Sequence, residues 1–330
     1  MENKTGEISE QITQKGMSRR EFIKLCGIVA AVLGLPASAV NTISNALAAA
    51  TRLPVIWLEF QDCTGDSESF LRAYQRSDPL QPSKTDPGIT SLILDVLSVD
   101  YHETLMAPAG FMAEKSRQDT IQSYAGKYVC VVEGSIPAGN NGVYCTIGGR
   151  TALSILQDVT SHAMATIALG SCATDGGLAS ANPNPTGAVG VKDAIPGIQN
   201  LINLPGCPAN VVNLVATIVY FLTYNQWPST DNLGRPEFAY GEDVHDQCPR
   251  EDFYEEGNYV LEWGDEGHRQ GWCLFKMGCR GPRTGSNCPT VKWNEGTCWP
   301  VAAGHGCIGC TEPHFWDTMT PFYIPLPGGD

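Results

Sequence analysis

From residue 51 to about 230, short apolar runs alternate with longer amphipathic segments, the pattern of a mainly parallel sheet with helices on its faces. The runs 55–60, 92–99, 128–132, 165–169 and 198–204 predict strands. Segments 67–75, 109–123, 152–162 and 209–224 predict helices, the last starting just after Pro208, as helices often do. Past about residue 235 the periodicity fades, and Gly, Pro, Trp and Cys crowd together. Such a segment buries little apolar surface in regular layers, so something covalent or metallic is expected to hold it. The change of texture puts a domain boundary near 225–236, dividing the chain into units 51–230 and 231–330.

Residues 1–50 stand outside this scheme. Ser18-Arg19-Arg20-Glu21-Phe22-Ile23-Lys24 is a twin-arginine export signature, followed by an apolar stretch, Leu25 to Leu35, and a small-residue cleavage region, Ala46-Leu47-Ala48-Ala49-Ala50. The stretch is too short to span a bilayer, which takes about 20 residues, and the alternative to an export leader is a short buried helix. Run 211–222 is interrupted by Asn213 and Thr217 and reads as a helix packed on the sheet. The twin-arginine route carries folded proteins, commonly with their cofactors inserted, so a folded periplasmic protein is expected.

The 330 residues carry a net charge of −14 and a pI near 4.8. That excludes a phosphate-binding surface, and no nucleic-acid partner is expected. Hydrophobic residues make up 42% and charged residues 17%, against about 25% charged in typical domains, so the chain collapses into a globule and is not disordered. Thirteen cysteines then demand an explanation.

Three of them stand just past the carboxyl ends of predicted strands: Cys63, Cys172 and Cys207. In an open parallel sheet those ends share one edge, where ligands bind, so the three thiols should converge. Cys63-Thr64-Gly65, Gly170-Ser171-Cys172 and Pro205-Gly206-Cys207-Pro208 let the backbone approach a bulky group. In the second unit the spacings are His245-x2-Cys248, Cys273-x5-Cys279, Cys288 and Cys307-x2-Cys310. Zinc sites and, in an exported chain, disulfides compete with iron–sulfur clusters for these patterns.

Whole motifs narrow the choice. Glu59-Phe60-Gln61-Asp62-Cys63-Thr64-Gly65, Glu133-Gly134-Ser135-Ile136-Pro137, Gly170-Ser171-Cys172-Ala173, Asn182-Pro183-Asn184-Pro185-Thr186-Gly187-Ala188, Pro205-Gly206-Cys207-Pro208, Lys276-Met277-Gly278-Cys279-Arg280-Gly281-Pro282, Gly304-His305-Gly306-Cys307-Ile308-Gly309-Cys310 and Phe315-Trp316-Asp317 occur in order along the chain. The chain thereby resembles the small, electron-transferring subunit of NiFe hydrogenases. The resemblance implies an α/β fold: a flavodoxin-like N-terminal domain with a parallel sheet, then an irregular cluster-binding C-terminal domain.

It also implies three clusters. Cys63, Cys172 and Cys207 would hold a proximal 4Fe-4S cluster, with Asp66 where most members carry a second cysteine of the first loop. Asp66 then either ligates iron through oxygen, the preferred reading, or caps the helix starting at Ser67. Gly65 and Gly177 occupy the positions where some oxygen-tolerant relatives have extra cysteines, so their six-cysteine cluster is not expected. His245, Cys248, Cys273 and Cys279 match the distal 4Fe-4S cluster. Cys288, Cys307 and Cys310 match the medial cluster, 3Fe-4S with Pro300 at the fourth corner, or 4Fe-4S if Cys298 supplies a fourth ligand; a buried free thiol is the equal alternative for Cys298. Cys130 and Cys145 match no cluster position and read as packing residues.

The catalytic metals would lie on a NiFe-containing large subunit, because nothing here matches the paired Cys-x2-Cys motifs that hold nickel. Electrons would leave to a periplasmic cytochrome c, or to quinone through a membrane cytochrome b, with the pair then peripheral on the membrane through that further subunit. Two other classes stay open: an exported, disulfide-stapled binding protein, which would be colourless, and a hydrogen-sensing regulatory subunit, which would usually lack the export signal.

Overall fold

The computed structural model describes residues 19–71, 96–293 and 296–325. A five-stranded sheet runs β1 (Leu53–Glu59), β2 (Leu97–His102), β3 (Val129–Glu133), β4 (Ala165–Leu169) and β5 (Leu201–Leu204), in the order β2-β1-β3-β4-β5. All four pairings are parallel, and this is the flavodoxin-like order. The fold class expected from the sequence is the one observed. Of the strand expected over 92–99, residues 92–95 lie outside the described part; the observed strand runs on to His102 because Tyr101 and His102 are buried.

Alternation along the strands sorts side chains onto two faces. Val55, Trp57, Val129, Val131, Ile167, Leu169, Ile202 and Leu204 face one core. Ile56, Leu58, Cys130, Val132 and Ala168 face the other, against α4 (Phe111–Ser123) and α5 (Ala152–Thr160). Cys130 is fully buried there and Cys145 packs at its edge, both as packing residues. Thr151 caps α5 by accepting from the Ser154 N–H.

The first core is closed by α3 (Gly65–Leu71) and α7 (Val211–Tyr224). Residues 72–75 of the helix expected over 67–75 lie outside the described part. The helix expected from 209 starts two residues later, because Asn210 is its cap, accepting from the Val212 N–H at 3.0 Å. Asn225 in the left-handed region ends it. Residues 19–49 fold as well: α1 (Arg19–Val32) and α2 (Ala39–Ala49) form a hairpin, turned at Gly34, that packs on α7.

Beyond α7 no described helix exceeds five residues. The irregular second unit has a small core of Val244, Val260, Leu274, Met277, Trp299 and Val301, rimmed by Cys248, Cys279, Cys288 and Cys307. Two buried polar links tie it to the sheet unit. Asn213 of α7 and Asn287 exchange amide hydrogen bonds at 2.9 and 3.1 Å, and the Asn210 amide donates to the Lys292 carbonyl. Removing one partner of the Asn213–Asn287 pair strands the other in the core. Asn213→Ala should therefore destabilise the holoprotein by about 1–3 kcal/mol, read by thermal unfolding, whereas a surface Asn225→Gly should change little.

Candidate metal centres

The register of the sheet builds the first site. Glu59, Glu133, Leu169 and Leu204 lie level across β1, β3, β4 and β5, so all four strands end on one line. Cys63 follows four residues past that line, and Cys172, on the short helix α6 (Gly170–Asp175), and Cys207 three residues past it. Their loops meet with Asp66 between them. Burial pushes the Cys172 thiol up to about 12, with Cys207 and Asp66 adding to it. Cys207 is pushed up to about 11 by burial, then by Asp66 and Cys63. Cys63, Asp66, Cys172 and Cys207 thus lie close enough to feel one another's charge. Cys63 and Cys207 remain exposed, so the site opens to one side.

Asp66 does not cap α3. The helix begins at Gly65, and its first N–H groups are taken by a residue from another strand: Glu133 Oε1 accepts from Asp66 N at 3.0 Å and Ser67 N at 3.1 Å. A carboxylate at a helix N-terminus is favourably placed. The Asp66 side chain turns the other way, accepting from the Ala209 N–H at 2.6 Å beside Cys207. Burial, and then Glu133, raise its carboxyl to about 8.

Two glycines make room for this set. Gly170 sits at φ +82°, and a Cβ there would lie 2.1 Å from Asp66 Oδ2. Gly177, at φ +51°, would put a Cβ 2.7 Å from the Cys172 sulfur. Three thiols and a carboxyl around such a cradle, with burial raising Cys172, Cys207 and Asp66, fit a cationic iron–sulfur core, whose charge would favour the ionised ligands.

In the second unit His245, Cys248, Cys273 and Cys279 line one small cavity with Arg250, Phe275 and Pro282. Tyr254 packs edge-on against the His245 ring at 4.6 Å. Burial is the first cause of the raised thiols here too, taking Cys273 to about 11. A turn recurs at three sulfurs: Arg250 N donates to Cys248 Sγ, Gly281 N to Cys279 Sγ and Gly309 N to Cys307 Sγ, each at 3.4 Å. Backbone N–H groups aimed at sulfur stabilise a thiolate.

The third set lies between. Burial raises Cys310 to about 12, with Cys288 and Cys207 contributing, and raises Cys307 well above the ordinary thiol value, with Cys279 and Cys310 contributing. Ser286 and Trp293 hydrogen-bond the Cys288 thiol. Cys298 has a partner of its own, the Trp299 carbonyl at 3.5 Å from its sulfur.

Sequence reasoning missed the residues that hold these loops. Ser171 hydrogen-bonds Gly206 in both directions and donates from Oγ to the Cys310 carbonyl, joining the first and third sets. Glu59, His102 and Glu133 form a buried cluster behind Cys63. Ser67 Oγ bridges His102 Nε2 at 3.1 Å and Glu133 Oε2 at 2.5 Å. The buried Arg280 donates to the carbonyls of Gly278, Met319, Pro321 and Ile324, strapping the C-terminal segment over Cys279. The only available signal for them was charge or polarity inside apolar runs.

Comparison with known proteins agrees with this geometry. Residues 240–323 match the family model for the C-terminal region of the NiFe/NiFeSe hydrogenase small subunit, and residues 63–221 that of the NADH ubiquinone oxidoreductase 20 kDa subunit. The chain is 44% identical to the periplasmic NiFe hydrogenase small subunit 1 of Nitratidesulfovibrio vulgaris over 315 residues, 95% of each chain. The chain belongs to the small-subunit family of NiFe hydrogenases. It is 45% identical to the quinone-reactive Ni/Fe-hydrogenase small chain of Wolinella succinogenes, over 96% of this chain and 86% of that one. Its fold matches that of the reduced, active NiFeSe hydrogenase of Desulfomicrobium baculatum, with TM-score 0.75 and 32% identity over 84% of this chain and 100% of that one. As a hydrogenase small subunit it is an iron–sulfur electron-transfer chain, one part of a heterodimer with a NiFe-containing large subunit.

The cradle can be tested directly. In the purified small subunit with its large partner, Gly177→Ala should displace the Cys172 sulfur and lower bound iron and acid-labile sulfide, while signals that depend on His245 persist. Unchanged iron and sulfide would contradict the assignment of Cys172.

Proposed function

We propose that this protein conducts electrons from hydrogen oxidation on the large subunit to an external acceptor through three clusters, proximal, medial and distal. What supports this reading is the unbroken succession of interacting thiols: Cys207 with Cys310, Cys310 with Cys307, and Cys307 with Cys279. The proximal set is Cys63, Cys172, Cys207 and Asp66; the medial set is Cys288, Cys307 and Cys310; the distal set is His245, Cys248, Cys273 and Cys279. When bound, the clusters supply one-electron redox steps. The chain supplies the order of the sites, the N–H groups at Cys248, Cys279 and Cys307, and the exclusion of water from buried thiols. Pro300 at the fourth medial corner fits 3Fe-4S, and Cys298, if its thiol turns from the Trp299 carbonyl to iron, would make the cluster 4Fe-4S.

The large subunit would sit on the sheet edge that exposes Cys63 and Cys207. Exposed Leu105, Phe111, Met112, Tyr144 and Leu178 follow strand ends on the same edge, an apolar surface suited to a permanent interface. At the other end, exposed Asp246, Asp252, Glu255 and Glu256 flank His245 and the helix carrying Tyr254. That charge suits a basic acceptor such as a periplasmic cytochrome c better than a neutral quinone. Residues 1–50 would direct export of the folded protein by the twin-arginine route to the periplasm.

Two substitutions test the ends of the conductor. Asp66 offers a hard oxygen donor, and Asp66→Asn can keep the bond from Ala209 while losing the charge. A change in the proximal-cluster spectrum and redox midpoint in Asp66→Asn is expected, and an unchanged titration would reject ligation. His245→Cys replaces a neutral ligand by an anion and should lower the distal potential. Acceptor reduction should then fall far more than hydrogen–deuterium exchange, which needs no long-range electron flow. Equal losses in both assays would make His245 merely structural.

A further inference from the structure

α7 is apolar on every side, and seven consecutive residues, Asn213 to Val219, are buried, so the helix is covered both on its sheet side and on the side facing away. The outer cover is the α1–α2 hairpin. Phe22, Leu25 and Val29 of α1, Leu33 just past its end, and Ile43 and Leu47 of α2 are each less than a tenth exposed and join the same core as Leu214, Val215 and Ile218. Leu25, Val29 and Leu33 belong to the apolar stretch that follows the twin-arginine motif, and Phe22 to the motif itself. The hairpin ends at the cluster loops: a cavity of about 850 Å³ is lined by Val32 and Gly34 on one side and by Gly65, Pro208 and Asn287 on the other.

We infer that the leader of the folded precursor is a docked, closed form of the export signal, held on α7 with the apolar stretch that the export machinery reads turned inward, so that undocking precedes export. The inference rests on the export reading of residues 1–50, and its physical basis is separate from it. A segment buried in a folded core presents its apolar side chains to a receptor only in the fraction of molecules where it has opened. A binder of the leader therefore competes with α7 for one apolar surface. Release is set by the packing of α1 and α2 on α7.

Cys26, the only leader cysteine, reports the state of the hairpin. It is fully buried, and burial pushes its thiol up to about 12, which suppresses the reactive thiolate. In the full-length precursor purified with its large subunit, alkylation at Cys26, followed by peptide mass spectrometry, should be at least about tenfold slower than in the same chain unfolded in urea. Ile43→Asp puts a charge between the leader and α7, and bound iron and sulfide equal to wild type show that the sheet unit keeps its fold. The substitution should return Cys26 to the fast rate and increase the exported fraction. Equal rates in folded and unfolded wild-type precursor would overturn the docked state, and protection surviving in Ile43→Asp would overturn α7 as its seat. Faster alkylation without increased export would overturn undocking as a required step. Arg19→Lys with Arg20→Lys separates the two readings: export should stop with Cys26 protection unchanged. Export that continues in that variant would remove the export reading, and with it the inference, while leaving the docked hairpin as an observation.

Discussion

A single buried carboxylate holds the proximal loops in place. Glu133, at the end of the central strand, is fully buried and takes four hydrogen bonds, from Trp57 Nε1, the Asp66 and Ser67 N–H groups and Ser67 Oγ. Each donor belongs to β1 or to the start of α3, so the bonds fix the loop between them, which carries Cys63 and Asp66. Burying a charge is costly unless donors surround it, and here the donors are the unpaired N–H groups of a helix start. The same bonds release Asp66 from capping its own helix and leave its side chain free to turn toward Cys172 and Cys207.

From that loop the arrangement propagates through the backbone. The strand ends lie level, so Cys172 and Cys207 reach the same edge without long excursions, and Ser171 then ties both loops to the carbonyl of Cys310. Cys310 belongs to the irregular unit, whose few apolar residues form only a small core. That unit is positioned by polar links at Asn210, Asn213 and Ser171 more than by its own packing. Metal binding and docking on the sheet unit together supply what regular secondary structure does not.

Much of this was legible in the sequence because strand periodicity and cysteine spacing are local signals. Four of the five strands fall where the apolar runs put them, and the thiols after β1, β4 and β5 converge because parallel strands share a carboxyl edge. The start of α7 was placed two residues early, just after Pro208, because the capping role of Asn210 was not recognised. Glu133, Ser171 and Arg280 were not legible as supports, since, Gly278 beside Arg280 apart, what they bind lies more than thirty residues away along the chain. For the docking of α1 the sequence offered only a choice, since an apolar leader and a short buried helix carry the same pattern, and α7 as its seat was not legible.

The central claim is that three sets of ligands lie in one conducting order. Redox titration of the purified heterodimer followed by EPR, with iron and acid-labile sulfide analysis on the same sample, tests it most directly. The account expects three iron–sulfur clusters titrating separately, with spin coupling between proximal and medial and between medial and distal signals but none between proximal and distal. A colourless protein with paired cysteines, or clusters with no coupling between neighbours, would contradict it.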